Sequence, residues 1–183
     1  GDSMTFVISY FTEVLREPFE ISRGIIVPPG EYDSDTIGLQ FGPGNHRKVS
    51  ASGRIVRYPG GRFYDGSRRD RYLELVWRPS ARFRGVLSYD YADIVLPQGA
   101  FETRLARVGV ELAFSPTVSL VNMIQYDNVS EVAGINMRLH WIPEAGREVY
   151  FVVNHNLEDI DRDNNFHSAF SDLTAKIDYT FRF

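Results

Sequence analysis

The sequence predicts an all-β fold: an antiparallel up-and-down transmembrane β-barrel of about ten strands, with both termini on the periplasmic side. Three observations carry this expectation. Apolar residues recur with a period of two along most of the chain. The alternating segments are long enough to cross a bilayer. Short Pro/Gly turns take turns with longer connections.

In chain order, strands are drawn at residues 6–15, 32–42, 47–58, 69–79, 81–92, 101–114, 117–127, 132–142, 147–156 and 168–183. Most are about 9–12 residues long, beyond the roughly 5–6 of globular strands and near the roughly 9–11 that span a bilayer at a tilt. Phe6–Leu15 is apolar in both registers, so its facing stays open. Leu73, Leu75 and Trp77 then oppose Tyr72, Glu74 and Arg78. Phe83, Gly85, Leu87, Tyr89 and Tyr91 oppose Arg82, Arg84, Ser88 and Asp90, and Val108, Val110, Leu112 and Phe114 oppose Arg107, Gly109 and Glu111. Val118–Tyr126 again carries apolar residues on both faces. Ala133, Ile135, Met137, Leu139 and Trp141 alternate with Gly134, Asn136, Arg138 and His140. The last strand sets Ala175, Ile177, Tyr179, Phe181 and Phe183 against Lys176, Asp178, Thr180 and Arg182. Successive side chains on a strand point to opposite faces, so each clean segment has one apolar wall and one charged wall.

Gly42–Arg47, Pro79–Ser80, Ser115–Pro116 and Pro143–Arg147 read as short turns. Arg16–Glu31, Pro59–Arg68, Ala92–Ala100 and Leu157–His167 read as longer connections, with Asn128–Glu131 a short one among them. Placing the C-terminus in the periplasm puts every Pro/Gly turn there and the longer connections outside. Residues 1–183 then form a single outer-membrane β-barrel domain. Tyr10, Phe41, Trp77, Phe114, Trp141 and Phe183 lie near strand ends, where an interfacial girdle would place them.

Composition narrows the alternatives. Aromatic residues make up 14% of the chain, with 13 Phe, 10 Tyr and 2 Trp. The absence of cysteine excludes disulfides and Cys-based metal or nucleophile sites. A net charge of −4 does not suit a nucleic-acid binder. No run approaches the roughly 18 apolar residues of a spanning helix. The N-terminus shows no charged segment followed by an apolar stretch, so an exported protein would be present here in mature or trimmed form.

A terminal Phe183 preceded by Phe181 and Tyr179 at alternate positions resembles the signal read by the barrel assembly machinery of the outer membrane. Longer stretches extend the likeness: Leu15-Arg16-Glu17-Pro18-Phe19-Glu20-Ile21, Val27-Pro28-Pro29-Gly30-Glu31-Tyr32, Gly61-Arg62-Phe63-Tyr64-Asp65-Gly66 and Trp77-Arg78-Pro79-Ser80. So do Ser88-Tyr89-Asp90-Tyr91, Val95-Leu96-Pro97-Gln98-Gly99, Phe114-Ser115-Pro116, Gln125-Tyr126-Asp127 and Met137-Arg138-Leu139-His140-Trp141-Ile142. Together, over nearly all of residues 6–183, they resemble the C-terminal barrel of a family of uncharacterised bacterial outer-membrane proteins. Its members often carry an N-terminal domain similar to family-nine carbohydrate-binding modules. The resemblance implies an outer-membrane location, with lipid and lipopolysaccharide as surroundings, and brings no catalytic residues. It also implies a carbohydrate-binding-like domain that this chain lacks, and leaves open whether ten strands close a barrel or form part of a wider one.

The charged wall is the principal candidate site. Glu74, Arg78, Arg84, Arg107, Glu111, Arg138 and His140 are expected to face the lumen, with Arg82, Asp90, Lys176, Asp178 and Arg182 beside them. Such groups must pair across strands or line water, and His140 suits a packed structural histidine rather than the alternative, a proton-transfer residue. Asp159, Asp161 and Asp163 resemble the opening of a calcium loop, but the sixth place is Asn164 rather than glycine, and Phe170 occupies the closing-glutamate place. A solvated loop explains them equally, and no cofactor is expected. The mixed-charge segment from Gly60 to Arg71, with Arg62, Asp65, Arg68, Arg69 and Asp70, suits either lipopolysaccharide headgroups or a plain exposed hairpin. The expected function is a non-enzymatic anchor or small-solute channel. One alternative is a surface hydrolase with His155 and His167 at a rim beside Glu158, Asp159 and Asp161. The other is a soluble ligand-binding barrel with its apolar faces turned inward.

Overall fold

A computed structural model describes residues 1–44, 46–159, 163 and 165–180. Among the described residues the chain is all β, with twelve strands and no helix. They are β1 (Ser3–Leu15), β2 (Phe19–Ser22), β3 (Ile25–Val27), β4 (Gly30–Gly42), β5 (Val49–Phe63), β6 (Gly66–Ser80), β7 (Phe83–Leu96), β8 (Gly99–Ser115), β9 (Val118–Asp127), β10 (Val132–Glu144), β11 (Arg147–Glu158) and β12 (His167–Tyr179). Ten of them form one sheet in the order β1-β4-β5-β6-β7-β8-β9-β10-β11-β12, while β2 and β3 make a separate hairpin. Among the described residues no pairing joins β1 to β12, which stand at opposite ends of that order.

The ten sheet strands coincide with the ten alternating segments of the sequence, but several boundaries move. Pro59–Arg68 and Ala92–Ala100 are not open loops: β5 runs to Phe63, β6 starts at Gly66, β7 runs to Leu96 and β8 starts at Gly99. The first of these reversals is made by Tyr64 and Asp65, both in the left-handed region at φ 48° and 63°. Two consecutive left-handed residues are what a two-residue hairpin turn of matching twist requires. Arg16–Glu31 holds the β2–β3 hairpin rather than a bare connection. Pro79 and Ser80 belong to β6, so this turn falls on the next two residues, Ala81 and Arg82.

The chain divides into two compact units, one of Gly1–Asn45, Ala51–Glu74 and Tyr89–Arg104, the other of His46–Ser50, Leu75–Ser88 and Leu105–Phe183. In the first, the β1–β4 and β4–β5 registers set Phe6 beside Leu39 and Leu39 beside Ile55, with Ile8 opposite Ile37. This settles the facing of β1: Met4, Phe6 and Ile8 share the apolar face, while Val7, Ser9 and Phe11 share the other with Gly38, Thr36 and Ser34. The apolar row is exposed, and the other row leads to the buried Ser34 and Thr36.

The buried core of this unit is built from the strand extensions. Val27, Tyr32, Phe63, Ala92, Ile94 and Leu96 are buried together, with Leu15, Ile21, Ile25, Tyr58, Tyr64 and Phe101 packed around them. Val27 is wholly inaccessible, which fixes the small hairpin onto the core. Its rings meet edge to face, Tyr32 on Tyr64 at 5.2 Å, Phe63 on Tyr64 at 4.9 Å and Tyr58 on Phe63 at 5.1 Å, a geometry favoured by the ring quadrupoles. Tyr32 donates a hydrogen bond to the Pro28 carbonyl at 2.8 Å, closing the segment between β3 and β4.

In the second unit the registers run without interruption through the middles of β8 to β12 and sort every side chain. Val108, Ile124, Ile135 and His155 stand in one row; Leu112, Leu120, Leu139, Phe151 and Ala175 stand in another. The open facing of Val118–Tyr126 is thereby decided: Leu120 and Ile124 join the apolar face, and Val121, Met123 and Gln125 the polar one. The apolar face is not covered. Leu173 is 71%, Ile177 75% and Trp141 45% exposed, and Ile135 and Leu139 are not among the buried residues.

Candidate functional site on the polar face

The polar face of the second unit carries most of the charged residues singled out in the sequence. They pair mainly with immediate neighbours on adjacent strands. Arg84 on β7 bonds Glu111 on β8 at 2.5 Å. Arg107 donates from Nε to the Gln125 side-chain oxygen on β9 at 2.8 Å. Arg138 lies in register with Val121 and Val152. His140 sits opposite Tyr150, and their rings stack at 4.3 Å with planes 3° apart. Glu148 closes this group, 3.0 Å from His140 Nε2 and accepting the Tyr150 hydroxyl proton at 2.5 Å. Lys176 and Asp178 pair at 2.8 Å along β12. Glu74 belongs to the first unit and accepts from the Tyr72 hydroxyl at 3.0 Å.

Two depressions open on this face. One, of about 340 Å³, is lined by the uncharged amides Gln125, Asn136, Asn154 and Asn156 together with Asp127 and Ser130. It lies beside the β9–β10 connection, at the opposite ends of these strands from the β8–β9 and β10–β11 turns. The other, of about 410 Å³, lies beside the β6–β7 and β8–β9 turns and gathers Arg78, Arg82, Arg84 and Glu111. Sequence reasoning marked the charged residues but missed the amide-lined depression. Asn and Gln on alternate positions carry no charge signal, and only the strand register brings them together.

The remaining sequence candidates separate. Asp159 is buried and accepts the Asp163 amide at 3.2 Å. Asp163 accepts from the side chain and backbone of Asn165 at 2.8 and 2.9 Å, and these bonds hold its carboxyl below the usual range. Both carboxylates are thus engaged by loop donors, and among the described residues no group of three or more His, Asp or Glu could hold a metal ion. Asp161 lies outside the described residues, as do Phe181, Arg182 and Phe183 of the terminal strand; Tyr179 ends β12. His155 Nδ1 is 2.6 Å from Ser171 Oγ, but both project from the apolar face, and among the described residues no carboxylate orients the ring. His167 lies opposite Glu158 in the register.

The basic segment between Gly60 and Arg71 is largely satisfied internally. Arg62 bonds Asp35 at 3.1 Å and approaches Asp33 at 3.7 Å. Arg68 pairs with Asp70 at 2.7 Å and covers the Tyr58 and Phe63 rings, and Arg71 lies over Tyr91 at 5.6 Å. No protein-family model, curated protein or solved structure matches the chain.

Proposed function

We propose that this chain is the membrane-spanning β-barrel of a bacterial outer-membrane protein, or the C-terminal part of one, serving as a non-enzymatic anchor or a passage for small solutes. One observation carries the reading. Across β8 to β12 the registers align apolar residues into rows that are left exposed, while the opposite face holds the paired charges. In water such a face is a liability far larger than the patches monomeric soluble proteins present; in lipid it is the required surface. Sheet strands of 10–17 residues support the same reading, as do the exposed Phe41, Trp77, Phe114 and Trp141 near strand ends that lead into short turns.

On this reading the termini are periplasmic and the aromatic-cored end of the first unit is the outer surface. Lipid and lipopolysaccharide are the surroundings, and the barrel assembly machinery is the partner that recognises the terminal strand. The resemblance to barrels fused to carbohydrate-binding-like domains agrees with an anchoring role. Refolding from urea into detergent and comparing boiled with unboiled samples by gel electrophoresis tests the membrane assignment. Heat-modifiable migration is expected, and a water-soluble monomer without detergent would sink it. Planar-bilayer recordings then separate a channel, which gives discrete conductance steps, from a silent anchor.

A further inference from the structure

We propose that the arginine-lined depression beside the β6–β7 turn binds a doubly charged oxyanion of the phosphate class. Its charged side chains are Arg78, Arg82, Arg84 and Glu111, three cations against one carboxylate. Glu111 is taken by Arg84. Among the described residues no carboxylate pairs with Arg78 or Arg82. Nη1 of Arg78 is the more telling group, since it is shut off from solvent and has no hydrogen-bond acceptor among the described residues. A buried guanidinium N–H without a partner is costly, and the planar fork of arginine matches the oxygens of a phosphate or carboxylate bidentately.

The surrounding backbone explains how the cations are held together. Arg78 is fixed by its amide, which donates to the Lys48 carbonyl at 2.6 Å, and the Arg82 carbonyl accepts from the Ala113 amide at 2.8 Å. The turn therefore cannot carry Arg82 away from the cavity without breaking a strand-to-strand bond. The Ser80 and Ser119 hydroxyls also line it and can donate to a bound oxyanion. At about 410 Å³ the depression admits a small solute rather than a macromolecule. The two unneutralised guanidiniums match a dianion in charge. The site lies wholly within the second unit.

The test is titration calorimetry of the full chain, folded in detergent, with inorganic phosphate at low chloride. Saturable binding is expected, weakened at least tenfold in Arg82→Gln and in Arg78→Gln and unchanged in Arg147→Gln, at the β10–β11 turn outside the cavity lining. Arg82 is exposed beside a turn, so its variant is expected to fold even if the Arg78 variant does not. A parallel arm replaces inorganic phosphate with short-chain phosphatidic acid to distinguish a free solute from a lipid headgroup. Tighter binding of the lipid would overturn the small-solute assignment. Absence of saturable phosphate binding, or equal affinity in wild type and Arg82→Gln, would overturn the site.

Discussion

Tyr64 donates its phenolic proton to Glu13 at 2.7 Å, tying the β5–β6 turn to a strand 51 residues earlier in the chain. Burial, followed by this bond to a carboxylate, raises the phenol to about 12. The folded value lies above the ordinary one near 10, so the fold favours the neutral phenol. The stability it contributes is complete below about pH 10 and is lost as pH rises toward 12. Alkaline unfolding followed by fluorescence should therefore steepen over that window. In Tyr64→Phe this component should be absent, at a cost near neutral pH of about 1 kcal/mol for the lost hydrogen bond. An unchanged alkaline profile in Tyr64→Phe would count against the assignment.

The aromatic core next to this turn should be as sensitive as the interior of a soluble domain. Phe63→Ala removes a buried ring that touches Tyr58 and Tyr64 and should cost about 3–5 kcal/mol. Gly66→Ala should also be damaging, for a different reason. A Cβ there would overlap the Val95 carbonyl oxygen and lie 2.9 Å from the Leu96 Cα, so backbone rather than side chain would have to move. Denaturant midpoints for both variants test the core. Near-wild-type stability in Gly66→Ala would mean that β7 can yield.

The two faces of the sheet should respond oppositely to charge. Leu139→Arg, in a row with Leu120 and Phe151, should cost about 2–4 kcal/mol when folding is measured in lipid vesicles. Thr174→Arg, on the polar face opposite Val152, should change stability by less than about 1 kcal/mol. Equal effects at the two positions would argue against a lipid-facing apolar surface.

The Arg84–Glu111 pair is partly solvated, with side chains 36% and 49% exposed. A double-mutant cycle of Arg84→Gln and Glu111→Gln should accordingly return a coupling of only about 0.2–1 kcal/mol. The coupling should shrink as salt is raised. A coupling of several kcal/mol would place the pair in a much drier environment.

The sequence by itself determined the ten sheet strands, their antiparallel order and which residues of the cleanly alternating segments share a face. Period-two patterning is a local property, and the separation of charged from apolar residues along each clean segment could be read from it directly. Only the tertiary structure decided the rest. Phe6–Leu15 and Val118–Tyr126 carry apolar residues on both faces, so their facing depended on the cross-strand registers with Leu39 and Leu139. Pro59–Arg68 and Ala92–Ala100 read in the sequence as longer connections between strands. They became strands because Phe63, Ile94 and Leu96 bury one another across the sheet, which outweighs local composition. The arginine-rich depression followed the same rule. Each arginine was visible in the sequence, but the convergence of Arg78, Arg82 and Arg84 beside one already engaged carboxylate arises from pairing between strands.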